Sequence, residues 1–524
     1  MRFISIDQNC SPLWDVAPKL AALTARGYAG THYVEDIDIA YSRHGGGGVE
    51  LAPESYYRGG ASDWGATLFA FDFLGRLPLD ARQFEPFTGL ASVNLAKRLD
   101  LSLDELYARY SGSDNWQLVG ASYLAGDKNR HKLLGDLTVA SVAPFARQLL
   151  TRARENLGEI FVEPAARARI ENWHRREEFF IENGGGERLS EFYRQWLRRD
   201  LGGAAQFGLT SQLFALTDDG ANRQTLTWFL RDYAPLARLY NEAVGTEMRP
   251  LNVRRGELPF FAIFHDGENC WREPLFFADG ELCAATRSWK TGDALPVAAL
   301  RRDGVVALAA KAILLVLQAR LTGAALALPE QGSLYMPAAY SLQKKLAAWL
   351  PPDLPPVWRV KFNFFDRMAT AKTRLRPPVY WRGVFGDREF TAGELVEAIR
   401  AKQQAAEQML AQLREKTTRA ATWRKLFPAV YARRDEWEAR RKNCGQAGRK
   451  NEAAEIWRQI RGLDLELWRE QIDRLTAALQ LRNLSYFNAR GAIYPWSLAL
   501  GGEEFYHGVI AGATVEEEAV GSGQ

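Results

Sequence analysis

Residues 2–41 read RFISIDQNCSPLWDVAPKLAALTARGYAGTHYVEDIDIAY, and their changes of period decide the fold class. Residues 2–7 alternate like a strand. Ser11-Pro12 then opens a helix, since proline is tolerated in a first turn, where its missing N–H has no helical partner anyway. Leu13, Val16, Leu20 and Leu23 recur at three and four, and Gly27 stops the run. Residues 28–41 return to β character. The pattern predicts a β-α-β unit. It lacks the G-x-G-x-x-G that marks a dinucleotide site.

Farther along, Gly45–Gly48 and residues 59–65 read as flexible loops, residues 66–110 and 137–200 as helical, and 116–119 as a strand. The runs 258–265, 270–277 and 282–286 are separated by Asp266-Gly267 and Asp279-Gly280, both strong turn signals, and predict a three-stranded meander. Val305–Leu321 is the most apolar stretch and reads as one buried helix. It contains Lys311 and is shorter than the ~20 residues of a membrane span. Prolines 351, 352, 355 and 356 bracket a linker before a strand over 357–365. From Thr391 the chain reads as helical. Ile399, Ala406 and Leu413 recur at seven, and Leu465, Trp468, Ile472, Leu475 and Leu479 at three and four. These seams predict an antiparallel coiled-coil hairpin with its tip at 443–448.

Hydrophobic residues make up 47% of the 524 and charged residues 25%, enough apolar material for a sizeable core. The net charge of +4 is too mild to imply nucleic acid by itself. Cys10, Cys270, Cys283 and Cys444 form no C-x-x-C pair and no disulfide framework, so a reducing, cytoplasmic setting is expected. Arg2 and Asp7 interrupt the first apolar run, so no signal peptide and no membrane partner are expected.

Four constellations carry chemistry. Between residues 31 and 48, His32, Asp36, Asp38 and His44, with Glu35, bring imidazole and carboxylate together, suited to acid–base work or a divalent metal. They are the candidate catalytic residues, with a polar strand edge beside a loop as the plain alternative. Residues 113–132 place Asp127, Lys128, Arg130 and His131 after a glycine turn, an anion site in outline or a solvated helix start. Asp63 directly precedes Trp64 and Asp114 lies two residues before Trp116, which suits a sugar-like ligand or an ordinary helix cap. Finally, residues 414–461 hold fourteen basic against six acidic side chains, a local excess of +8, with Trp423, Trp437 and Trp457 interleaved. Arg440 and Arg441 near the tip are the candidate contacts for a nucleotide or other phosphate. Metal and cofactor stay unassigned.

The segment 66–83 (ATLFAFDFLGRLPLDARQ), the piece 235–261 with the β runs after it, then Pro329, Glu330 and Tyr335, and the closing 479–491 (LQLRNLSYFNARG) resemble the bacillithiol-biosynthesis cysteine-adding enzyme family in element order. The resemblance implies an α/β fold: a Rossmann-like core, a small β-meander and a C-terminal antiparallel α-helical coiled coil. It divides the chain into a β-α-β extension (1–65), a largely helical core (66–256), a meander, buried helix and strand completing that core (257–390), the hairpin (391–491) and a tail (492–524). It also implies a ligase-like enzyme that joins an amino-acid-like group to a sugar-like small-molecule substrate; self-association through the coil is expected from the coil's own seam, with Trp457 and Trp468 left for a second subunit. The chain lacks a counterpart of the family's glycine-glutamine loop and of its E-D-H-D stretch. That absence favours the alternative, a non-catalytic scaffold using its coil and aromatic surfaces.

Overall fold

The structure is a computed structural model and describes residues 2–6, 16–37, 39–42, 49–53, 67–68, 81–110, 116–120, 131–133, 135, 138–184, 187–216, 220–245, 248–267, 270–285, 287–292, 295–330, 335–378, 381–482 and 493–518. It is a mixed α/β protein with a largely parallel sheet and a C-terminal helical region.

The opening β-α-β unit forms as its periodicity implies. Strand Arg2–Ile6 pairs in parallel with Ala29–Val34, and helix Ala17–Ala25 connects them, with Pro18 in its first turn. These two strands seed a six-stranded sheet. Its order is Gln206–Leu209, Ala29–Val34, Arg2–Ile6, Ala325–Pro329, Val357–Lys361 and Thr514–Glu517. All neighbours are parallel except the last, which is antiparallel.

Strand alternation sorts the core onto the two faces of this sheet. Phe3, Val34, Ala325, Ala327, Trp358 and Val360 pack with helices Val139–Ile160, Pro164–Asn183, Leu189–Leu201 and Ile493–Gly512. Ile4, Leu326 and Val357 face the other way, onto helices Tyr233–Val244, Ala312–Leu321 and Met336–Lys345. That second cluster is closed by a five-stranded antiparallel sheet. It contains the meander Glu257–His265, Cys270–Ala278, Glu281–Ala284 and Arg287–Lys290, with Val305–Ala310 on the far side of Glu257–His265.

Val305–Leu321 is therefore not one helix. Its first six residues are a strand and Ala312–Leu321 is the helix. Gly304, at φ 86°, turns the chain, and Val305–Ala310 completes hydrogen bonds that the meander's first strand would otherwise leave open. Lys311 marks the junction, its Nζ 2.7 Å from Glu257 Oε1. The strand expected over 357–365 ends at Lys361, and Phe364–Ala369 is helical. The tail expected over 492–524 contains the buried helix Ile493–Gly512 and the sixth sheet strand. Residues 1–65 are likewise no appendage, since they supply two central strands.

The helical hairpin has its turn at Ala447–Gly448, as its sequence implies. Its outgoing limb comprises three helices, Ala392–Arg414, Lys416–Leu426 and Pro428–Gln446, and its return limb is the single helix Lys450–Arg482. Pro428 forces the second break, because proline cannot supply the N–H that continues a helix. The buried seam of the return limb runs Ile456, Ile460, Leu463, Leu467, Ile472, Leu475 and Leu479. Leu465, expected in that seam, is only half-buried, and Trp468 packs against the main core. No helix among the described residues is long and apolar enough to cross a membrane.

Candidate functional site

The parallel strands run outward in both directions from Arg2–Ile6 and Ala325–Pro329. The strand order therefore reverses between these two. In open parallel sheets a crevice forms outside the carboxyl ends at such a reversal, because the crossovers leave toward opposite faces. Glu330 follows Pro329 immediately at this edge. Its Oε2 is buried and has no hydrogen-bond partner among the described residues. Burial and the neighbouring Glu516 push the Glu330 carboxyl above the usual range, opposed by the Lys361 ammonium. A carboxyl of that kind can accept or hold a proton for a bound ligand.

Next along the edge lie Glu35 and Asp36. The Asp36 carboxylate receives Ser211 N–H at 2.8 Å and Thr210 Oγ1 at 2.7 Å on one oxygen, and Ser211 Oγ on the other. Glu35 Oε1 accepts from Ile37 N–H at 2.9 Å and lies 2.8 Å from Thr210 Oγ1, whose single proton serves one of the two acids at a time. The two acids thus bracket the turn Thr210–Leu213, and the negative charge sits where backbone N–H groups are exposed at a helix start.

His32 stands below the edge rather than at it. It is fully buried, with Nδ1 2.9 Å from Ser5 Oγ and, among the described residues, no partner on Nε2. Burial, then the nearby Lys19 charge, hold its pKa well below the ordinary value, so the imidazole is neutral. Lys19 itself is buried on the helix that covers this face. The structure therefore separates the expected catalytic group. His32 joins Ser5 and Lys19 inside the sheet, and Asp36 joins Thr210 and Ser211.

Asp38 and His44 lie outside the described residues, as do Asp63, Asp114, Asp127, Lys128 and Arg130. His131 begins the short strand His131–Leu133, paired with Ile39–Ser42. Among the described residues no group of three or more His, Cys, Asp or Glu side chains is placed to hold a metal ion. Ser5, Thr210 and Ser211 were not expected, since nothing local marks them. Glu330 carries one local signal, a carboxylate directly after the apolar run ALALP.

At the hairpin tip, Arg440 Nη2 lies 3.5 Å from Glu452 and Arg441 Nη2 3.6 Å from Glu438. Arg440 lies over the Trp437 ring and Arg441 over Trp457. The neighbouring arginines thus reach different partners, as consecutive helical positions must.

No protein-family model and no curated protein matches the chain.

Proposed function

We propose that the parallel sheet is a Rossmann-like core and that the protein is a ligase-like enzyme. It joins the acyl group of an activated amino-acid-like donor to a sugar-like acceptor, displacing the donor's leaving group, in the crevice expected outside the carboxyl ends of Arg2–Ile6 and Ala325–Pro329. The observation that carries this reading is Glu330, at the end of the strand beside the strand-order reversal, whose buried Oε2 has no partner among the described residues. A buried acceptor without a partner costs ~1–3 kcal/mol, and a ligand hydroxyl or amine offsets that cost on binding. On this reading Glu330 orients the acceptor and receives its proton, beside the ion pair of Lys361 with Glu516. The C-terminal hairpin is then an antiparallel coiled coil that carries self-association and leaves the crevice open. The free thiols of Cys283 and Cys444 suit a reducing, cytoplasmic setting.

The alternative, a non-catalytic scaffold, has one observation in its favour: both oxygens of Asp36 are already taken up by the turn Thr210–Leu213. Titration calorimetry of the full chain with free amino acids and amino sugars separates the two. The enzyme reading expects binding that Glu330→Gln weakens at least tenfold with an unchanged melting temperature. Binding of neither class, or equal binding by the variant, would falsify it and leave the scaffold.

A further inference from the structure

We infer that the hairpin tip is a docking site for single-stranded nucleic acid. The return helix Lys450–Arg482 carries Lys450, Ala454, Trp457 and Arg461 at spacings of four, three and four, a single stripe on one face. At ~1.5 Å per residue the two cations stand roughly 16 Å apart, with the indole between them. Trp457 is 42% exposed. It lines a groove of about 630 Å³ together with Arg441, Lys442, Gly445, Ala453 and Ala454. These small residues leave a slot beside the indole, and the Arg441 guanidinium lies 4.7 Å from the Trp457 ring centroid.

The charge around this slot is unevenly neutralised. Glu452 pairs with Arg440 and Arg449, and Glu455 with Arg458. Glu438, the acid in the groove, is taken by Arg434 and Arg441. No carboxylate of the described residues pairs with Lys442, Lys450 or Arg461. The unmatched positive charge therefore surrounds the exposed indole. An extended polyanion with flat, stackable groups answers both features, its phosphates to the cations and a base to the indole. An acidic peptide answers the charge alone. A duplex keeps its bases stacked on each other and offers none to Trp457.

The test is fluorescence anisotropy of the full chain with a labelled oligothymidylate at about 50 and 200 mM salt. Three phosphate contacts predict a log–log salt slope of roughly −2. Trp457→Ala should weaken binding about tenfold or more at an unchanged slope, by loss of stacking. Lys442→Glu with Lys450→Glu should flatten the slope, and circular dichroism should be unchanged in both variants. No binding, equal competition by duplex or polyglutamate, or indifference to Trp457→Ala would each overturn the proposal. So would a chain whose mass halves in Trp457→Ala while no oligonucleotide is bound, since the indole would then serve a second copy.

Discussion

Thr210 decides what Asp36 can do. Its hydroxyl meets Asp36 at 2.7 Å and Glu35 at 2.8 Å, and the Ser211 N–H completes the bracket. Removing the Asp36 carboxylate leaves the Ser211 N–H and hydroxyl unmet, while Thr210 keeps Glu35, so Asp36→Ala should cost ~1–3 kcal/mol in urea unfolding. A stable variant that lost ligand binding instead would restore the catalytic reading of Asp36. His32, four residues earlier, makes a pH prediction. Its folded pKa is depressed below about 6.5, so the unfolded chain binds a proton first as pH falls. Stability contributed by the neutral imidazole is thus complete above about pH 6.5 and declines below it, by about 1.4 kcal/mol per pH unit until the folded pKa is reached. His32→Phe should show a shallower stability–pH slope between about 6.5 and 5, and an identical slope in both proteins would refute the assignment. The sequence shows these residues in one short segment. It could not separate them, because strand alternation turns His32 into the core while Asp36 lies beyond the strand's end.

The same limit governs whole elements. Ile493–Gly512 was not legible as a core helix because Gly501-Gly502 interrupts it, and the interruption is real: Gly502 has φ 76° and ψ −161°. The break is held from outside the helix. Arg169 Nε and Nη2 donate to the carbonyls of Leu498 and Ala499, both at 2.7 Å, and Thr373 Oγ1 donates to Leu500 O at 2.8 Å. Such a backbone conformation is essentially reserved for glycine, so Gly502→Ala should destabilise the fold by ~1–3 kcal/mol. A thermal melt unchanged by that substitution would show that the break is not constrained. Val305–Leu321 failed for the converse reason. A continuous apolar run suits a buried strand and a buried helix equally, and only the open edge of Glu257–His265 assigns its first six residues to a sheet. The meander turns at Asp266-Gly267 and Asp279-Gly280 were legible because turn chemistry is local. Sheet order, and with it the strand-order reversal beside Glu330, was not, because Ile4 and Leu326 become neighbours only through folding.

Across the whole molecule, the six-stranded sheet draws strands from residue 2 to residue 517, so it can be complete only when the entire chain has folded. The base of the hairpin belongs to that unit: Ile399, Leu410, Leu413, Ile472, Leu475 and Leu479 lie in the main core cluster. The tip does not. Cys444, Ile456 and Ile460 form a separate small cluster, backed by Trp437 and Ala453. Opening the tip therefore exposes little apolar surface and breaks no sheet contact, whereas opening the base requires disrupting the main core. Hydrogen exchange followed by mass spectrometry should show amides of residues 436–461 exchanging well before those of 395–413 and 470–481. Equal protection would mean that tip and base unfold as one unit. If the tip docks an oligonucleotide, adding it should slow exchange at 436–461 and leave the base unchanged, since the ligand stabilises only the states in which the tip is closed. Protection that appeared at the base instead would place the binding surface on the core and not on the hairpin.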